Sequence, residues 1–317
     1  MLLKRKIPMR YVLGKIKTEL ILVFLYASAF AVFHYYYGSI ALEIPIAVPT
    51  IVGTVISLLL AFKSNQAYDR WWEARIIWGA IVNDSRTLLR QVIAFYKDPD
   101  CSDEANNFKE RFAKRQAAWC YSLANSLRGK DPIKPLRKLL DEEELQFVQK
   151  HKHIPNAILL LHSKALTKAT NQNKINTYQQ VEIDNTLTRL CDSMGKCERI
   201  KNTIFPTTYS MYIRFTLCVF LMLLPFGLAE HMGLLQIPVV VTLGAAFFLI
   251  EKMAIHLQDP FENRPTDTPM TVISNNIEKN LLQMVNEFRD EYENELPEDA
   301  KTKVHHIQPL RNAYFVL

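Results

Sequence analysis

Residues 44–62 read IPIAVPTIVGTVISLLLAF and carry no charged side chain. A helix rises about 1.5 Å per residue, so a stretch of this length can cross a hydrocarbon core of roughly 30 Å. The chain continues over residues 63–75 as KSNQAYDRWWEAR, without a proline or a glycine. This pattern predicts one helix that crosses a membrane and runs on into a polar region.

Three further apolar segments have the same character, over residues 20–37, 215–229 and 231–250. The segment at 215–229 is short and needs its flank from Met211, where Arg214 can extend its charge to the membrane interface. The alternative is a set of buried helices in a large soluble protein. We predict four membrane helices, at about residues 20–37, 44–62, 211–230 and 231–250.

Lysine and arginine are distributed unevenly around these segments. The turns at 38–43 and 230–238 contain neither, whereas the N-terminal arm, residues 63–201 and the region from 252 onward hold almost all of them. The positive-inside rule then places both termini and the middle region in the cytoplasm. Aromatic residues are expected to form belts at the two interfaces. The candidates are Tyr35, Tyr36, Tyr37, Trp71, Trp72 and Trp78.

The remaining residues, about 63–205 and 251–317, are polar and show apolar spacings of three and four, for example over residues 69–94 and 271–292. Such spacing predicts amphipathic helices. We expect an all-α protein with a cytoplasmic helical extension. Because the membrane and cytoplasmic parts alternate along the chain, we expect one domain over residues 1–317.

Side chains that could carry chemistry do not form a recognisable motif. The five cysteines are odd in number and include no CxxC pair, and the P-loop, GxGxxG, GxSxG and HExxH patterns do not occur. His151, His153 and His162 form the densest histidine group, but Pro155 is expected to break a helix between them, so we interpret the group as a solvated loop. We expect no enzyme, no cofactor, no metal site and no nucleic-acid partner.

Several short motifs, in this order, resemble the bestrophin family. In that family an apolar helix ends in Phe and is followed eight residues later by Arg-Trp-Trp, which here are Phe62 and residues 70–72. Residues 197–200, CERI, resemble the approach to the third membrane helix, and residues 276–278, NIE, resemble bacterial members. Asp-Pro-Phe follows the fourth apolar segment, as in the family. The family motif residues are Arg70, Trp71, Trp72, Asp259, Pro260 and Phe261.

The resemblance implies a homopentameric ion channel in which the second membrane helix lines a narrow neck. Mapped by the Phe-to-Arg-Trp-Trp spacing, the three neck rings fall on Thr54, Leu58 and Phe62. Residues four apart share a helix face, and apolar rings offer an ion no ligands, so they can gate by dewetting. Thr54 departs from the usual bulky aliphatic residue, and we expect a wider or wetter outer ring.

The resemblance also implies a second constriction at the cytoplasmic end. Ile175 and Tyr178 are the candidates, and an ordinary place on a surface helix is the open alternative. In calcium-activated animal members an acidic cluster follows the Pro-Phe motif. Here residues 262–267 read ENRPTD, with Arg264 and Pro265 where carboxylates would be expected, so we predict no calcium site.

The function implied is the passage of small monovalent ions across the lipid bilayer, in a bacterial inner (plasma) membrane. Anions such as chloride are favoured because eukaryotic relatives pass chloride, with a slight lean from the net charge of +6. A sodium or potassium channel of the same architecture stays open. So does a membrane-anchored scaffold that does not conduct.

Overall fold

The computed structural model describes residues 9–37, 44–97, 103–203 and 206–295. Within these ranges every regular element is a helix, as predicted. The predicted turn at 38–43, the arm before residue 9 and the tail after residue 295 lie outside the described residues. In chain order the α-helices are α1 (Met9–Gly14), α2 (Lys17–Tyr37), α3 (Ala47–Phe95), α4 (Asp103–Leu127), α5 (Glu142–Gln149), α6 (Ile154–Asn171), α7 (Thr177–Asn202), α8 (Thr207–Met232), α9 (Gln236–Gln258) and α10 (Met270–Glu295).

The chain has two compact units that alternate along the sequence. The first, which we call the apolar unit, comprises Met1–Trp72, Thr203–Pro260 and Pro265–Asp267. The second, the polar unit, comprises Glu73–Asn202, Phe261–Arg264 and Thr268–Leu317.

The apolar unit is built from α2, α8, α9 and the first half of α3. α2 packs against α8 and α9, which also pack against each other. Its core includes the side chains of Ala27, Ile56, Leu60, Leu217 and Val240, each from 0 to 1 % exposed. These apolar contacts are between helices that could each lie in a bilayer.

Three helical stretches of the described chain are long and apolar enough to cross a membrane, namely Lys17–Tyr37, Ala47–Phe95 and Thr207–Gln258. The last stretch contains both α8 and α9, which are separated by a 3₁₀ turn at Gly233–Leu235. Gly233 has φ of +53°, a left-handed conformation that glycine adopts without strain. The four predicted segments therefore lie on α2, α3, α8 and α9, with the break at Gly233 rather than at residue 230.

The polar unit has α4 at its centre, packed against α6, α7 and α10. Its core buries large side chains completely, among them Trp78, Phe112, Trp119 and Phe261. Trp78 was expected at a membrane interface, and that prediction is wrong. By residue 78 the helix α3 has left its apolar stretch, and the indole lies in the core of the polar unit.

The prediction of a solvated histidine loop is also wrong in part. Pro155 starts α6 rather than breaking it, because the first turn of a helix has no need of the N–H that proline lacks. His153 precedes that turn, and its Nδ1 accepts a hydrogen bond from the Asn156 N–H at 3.2 Å. His162 is fully buried, with its ring centroid 4.3 Å from that of Phe112.

Candidate functional site

The predicted neck residues lie on one exposed face of α3. Leu58 and Phe62 are 58 % and 56 % exposed, and Thr54 is exposed as well. The Thr54 hydroxyl donates to the Thr50 carbonyl at 2.9 Å, so it is bonded within its own helix. The structure thus presents all three side chains together at the surface of the single chain, and their place in a pore stays a prediction.

The opposite face of α3 packs inside the apolar unit. Ile56 and Leu60 are 0 % and 1 % exposed. Gly53 allows a close approach to α8, because a Cβ at this position would lie 2.9 Å from the Phe220 ring. Among the described residues this part of α3 is therefore packed on one side, and the side that carries Leu58 and Phe62 is exposed.

The exposed apolar face of α3 extends beyond the three predicted neck residues. Ile51 and Val55 are also exposed, and together with Leu58 and Phe62 they follow a spacing of four, three and four residues. This is the spacing of side chains along the seam between two packed helices. The face can therefore serve contact with other helices as well as the lining of a pore.

Polar residues continue the same face beyond Phe62. Asn65 and Asp69 are both exposed, and Asp69 follows Phe62 by seven residues, which is two helical turns. The change from apolar to polar side chains is abrupt, since nothing charged precedes residue 63 on this helix. The Asp69 carboxylate therefore lies in line with the apolar stripe formed by Ile51, Val55, Leu58 and Phe62, beyond its Phe62 end.

The Arg-Trp-Trp motif ties α3 to two other segments of the apolar unit. An Arg70 Nη2 donates to the Thr203 carbonyl at 3.0 Å, and the Trp71 Nε1 donates to the Thr266 carbonyl at 2.9 Å. Thr203 follows α7, and Thr266 lies in the loop after α9. Arg70 and Trp71 therefore hold α3 to the backbone of these two segments, whereas Trp72 is about half exposed.

The Asp-Pro-Phe motif marks the end of α9. Asp259 follows the last helical residue with an extended backbone, φ −120° and ψ 92°, and Pro260 is buried. Phe261 is fully buried in the core of the polar unit. These positions support the interpretation of the motif as structural.

The two candidates for the second constriction differ in exposure. Tyr178, in the first turn of α7, is 87 % exposed, whereas Ile175 is 1 % exposed and belongs to the core of the polar unit. The burial of Ile175 gives no support to a pore-lining role for that residue. Tyr178 is the one of the pair whose side chain is available at the surface.

The loop after the Asp-Pro-Phe motif uses its polar groups for contacts within the chain. Glu262 pairs with Lys201 at 2.7 Å, and Asn263 has a positive φ of 67°. The described residues contain no group of three or more His, Cys, Asp or Glu side chains that could hold a metal ion. The lack of a calcium site stays a prediction.

Sequence reasoning missed Lys63 and Glu251. Lys63 was assigned to the start of the polar region, yet it is fully buried, and Glu251 near the end of α9 is buried too. A signal was present, because Ile56, Leu60 and Lys63 follow the spacing of four and three residues that marks one helix face. Glu251 follows Gly244 and Phe248 at the same spacing of four and three residues, and all three are buried.

Comparison with known proteins agrees with this architecture of apolar and polar helices. A family model described as "Bacterial/Fungal Bestrophin protein" matches residues 7–283. The chain belongs to this family. The predicted family and the all-helical, bestrophin-like fold are thereby confirmed, and so are the predictions that the chain is a membrane protein and not an enzyme.

Named relatives cover most of the chain. It is 31 % identical over 279 residues to the voltage-dependent anion channel-forming protein YneE of Salmonella typhi, covering 88 % of this chain and 89 % of that protein. The protein alr2987 of Nostoc sp., which carries the same description, is 32 % identical over 250 residues, covering 76 % and 79 %. A crystal structure of a bacterial bestrophin homologue from Klebsiella pneumoniae is similar with a TM-score of 0.78 and 28 % identity, covering 86 % of this chain and 98 % of that one.

Proposed function

We propose that this chain is the subunit of a homopentameric channel that passes small monovalent ions, with anions such as chloride favoured. The neck of the pore would be lined by Thr54, Leu58 and Phe62 of α3. The observation that carries the proposal is the apolar face of α3, which the described residues of the chain leave exposed. The relatives named as anion channel-forming proteins support the same function.

The shape of that face supports an oligomer. The stripe through Ile51, Val55, Leu58 and Phe62 has the spacing of a helix seam, so copies of α3 can pack side by side. Identical subunits joined by one repeated contact form a closed ring when the rotation between neighbours closes, and a ring of this kind is what we propose. The number five comes from the resemblance to the family.

Leu58 and Phe62 explain how such a ring could gate. Five copies of each would form stacked apolar rings, and neither side chain supplies an oxygen to replace the water around an ion. A small narrowing would then empty the neck of water and stop conduction. In the outer ring, the Thr54 hydroxyl oxygen can still accept hydrogen bonds from water. This ring would therefore be wetter than the two apolar rings.

A cation channel of the same architecture is the second candidate, and Asp69 is the observation that favours it. Five Asp69 carboxylates, two turns beyond Phe62, would form a ring of negative charge. Rings of aspartate or glutamate are typical of cation pores. The apolar rings themselves do not decide the sign of the ion.

The second constriction and the orientation remain part of the proposal. Tyr178 supports the constriction by its exposure at the start of α7. We place the protein in the bacterial inner (plasma) membrane, with both termini in the cytoplasm. The unequal distribution of lysine and arginine supports this orientation.

The decisive experiment is a reversal potential in a planar lipid bilayer with a tenfold KCl gradient. A reversal near the chloride equilibrium potential supports the anion channel, and one near the potassium potential supports the cation channel. Absence of any current, from protein shown to be an intact oligomer by size-exclusion chromatography with light scattering, would favour a membrane-anchored scaffold.

Single substitutions then test the neck. Leu58→Ala and Phe62→Ala are expected to enlarge the current, because each removes an apolar ring from the narrowest part. Leu22→Ala on α2 is a matched control, since Leu22 is 62 % exposed and lies on another helix. Equal currents from all three variants would contradict a neck on α3.

A further inference from the structure

Two basic residues of the apolar unit meet on one carboxylate. Glu19 lies in the first turn of α2, Arg214 in the second turn of α8, and Lys252 near the end of α9. An Arg214 Nη2 lies 3.4 Å, and the Lys252 Nζ 3.0 Å, from the same atom, Oε1 of Glu19. The start of α2, the start of α8 and the end of α9 therefore lie at one end of the apolar unit.

One carboxylate oxygen does not satisfy all the donors of these two bases. A guanidinium carries five N–H donors and an ammonium carries three. In the described part of the chain, Arg214 and Lys252 share the single Glu19 oxygen, and the Arg214 side chain is 50 % exposed. Because both nitrogens contact one oxygen atom, a single phosphate group can span them.

Exposed apolar side chains lie beside each base, as expected at a membrane boundary. Met211 and Phe215, which flank Arg214 on α8, are 60 % and 69 % exposed. Met253, which follows Lys252 on α9, is 49 % exposed. Such side chains on membrane-spanning helices suit contact with lipid tails, and a base among them extends its charge toward the head groups.

The segment before Glu19 adds positive charge to the same end of the apolar unit. Arg10, Lys15 and Lys17 are all exposed. Ile16, which lies between two of them, is 0 % exposed and belongs to the core of the apolar unit, so it holds the segment in place. The bases therefore outnumber the carboxylate that Arg214 and Lys252 share, and this surface attracts anions.

We propose that Arg214 and Lys252 form a binding site for the phosphate of an anionic phospholipid. Arginine binds two phosphate oxygens at once, and lysine adds a point charge. A zwitterionic head group fits less well, because it carries a cation of its own that the surrounding bases repel. The proposal rests on the membrane location of the chain and not on conduction, and the proposed orientation decides only that the lipid belongs to the cytoplasmic leaflet.

The test measures lipid binding to the full chain in detergent by native mass spectrometry. Dioleoyl phosphatidylglycerol and dioleoyl phosphatidylcholine are titrated separately, since they share their acyl chains and differ in head-group charge. We expect the phosphatidylglycerol to bind at least about fivefold more tightly, which is the factor that one base contributes near a membrane surface. Equal affinities would overturn the proposal. A chain that binds the lipid but carries no current would refute the channel alone.

Arg214→Gln tests the site itself. It leaves Glu19 paired with Lys252, and it is expected to weaken phosphatidylglycerol binding about fivefold. Lys196→Gln is the matched control, because it removes the same charge from an exposed position on α7. Its affinity should stay within about twofold of the original, since a distant charge is screened by salt. An unchanged affinity in Arg214→Gln, or an equal loss in both variants, would overturn the site.

Glu19→Gln tests the same site in the opposite direction. It removes the carboxylate that competes with the lipid phosphate for both bases, so phosphatidylglycerol should bind about fivefold more tightly. A damaged fold does not produce tighter binding that is selective for one head group. Unchanged or weaker binding in this variant would contradict the proposed site.

Inorganic phosphate distinguishes a lipid from a free anion as the occupant. It is added in excess over bound phosphatidylglycerol and compared with chloride at equal ionic strength. We expect the lipid to stay bound, because its acyl chains also lie against the exposed apolar side chains. Displacement by phosphate but not by chloride would assign the site to a free anion and overturn the proposal.

Discussion

Glu144→Gln tests the buried charges of the polar unit. Glu144 lies in the first turn of α5, and its Oε1 accepts a short hydrogen bond from an Nη2 of Arg115 on α4. The two side chains are 10 % and 6 % exposed, so water screens this pair little. Glu144 also contacts Arg111 at 3.4 Å, but Arg111 has a second acid in Asp141. Arg115 therefore depends on Glu144 for its counter-charge.

The expected magnitude follows from that dependence. Removing one partner of a buried pair leaves the other charge uncompensated, which destabilises a protein by about 3–5 kcal/mol. Glu143→Gln is the matched control, because Glu143 lies in the same helical turn but is exposed. It loses the same interaction with the helix dipole, worth about 0.3–1 kcal/mol.

Thermal unfolding of the purified protein in detergent, followed by circular dichroism, measures the difference. We expect the midpoint of Glu144→Gln to fall clearly below that of Glu143→Gln. The double variant Arg115→Met, Glu144→Leu should regain much of the loss, since apolar replacement of a buried pair is often neutral or stabilising. If both single variants unfold at the same temperature, the pair does not carry the stability assigned to it.

Three further predictions concern pH, thiol reactivity and the tryptophan anchor. Burial, and then the charge of Arg115, lowers the pKa of His162 well below its ordinary value of 6.5. The unfolded chain therefore takes up a proton on His162 at a higher pH than the folded chain does. As the pH falls below about 6.5, the free energy of unfolding decreases by up to about 1.4 kcal/mol per pH unit. His162→Phe should flatten this acid limb in thermal unfolding measured from pH 7 to 5, and an unchanged slope would refute the assignment. Burial raises the pKa of Cys120 to about 12, so iodoacetamide at pH 8 should modify the exposed Cys191 at least about tenfold faster, because the thiolate is the nucleophile. Peptide mass spectrometry measures both rates, and equal rates would contradict the burial of Cys120. Trp71→Phe removes a hydrogen bond to a backbone carbonyl and should lower the free energy of unfolding by about 1 kcal/mol, measured against Trp72→Phe.

The membrane helices could be predicted from the sequence because the signal is local. A charge-free stretch of sufficient length is visible without knowledge of its neighbours, and the four predicted segments lie on α2, α3, α8 and α9. The predicted boundary between α8 and α9, at residue 230, differs from the observed break because that break depends on Gly233. Its positive φ, rather than the charge of Glu230, ends the helix.

Burial within the polar unit could not be predicted, since it depends on partners far away in the sequence. Trp78 follows Trp71 and Trp72, which are typical of a membrane interface. No neighbouring residue in the sequence indicates that the Trp78 indole is buried in the core of the polar unit. His162 was misjudged because Pro155 was interpreted as a helix breaker, whereas its position makes it a helix start. Lys63, which lies in the apolar unit, looks like the end of an apolar span, although its side chain is fully buried.

The sign of the permeating ion depends on few charges, and this is why the two candidate functions differ so little in structure. Leu58 and Phe62 of the proposed neck carry no charge, so the groups at its ends would decide which ion is enriched there. The net charge of +6 is a weak guide, because much of it lies on the N-terminal arm, where lipid head groups can neutralise it. Asp69 is a charged group in line with the stripe, and a carboxylate there opposes the proposed preference for anions. In the proposed pentamer, an anion pore would have to offset five Asp69 carboxylates with basic residues outside this face. A chloride reversal potential would therefore point to basic residues elsewhere along the path of the ion.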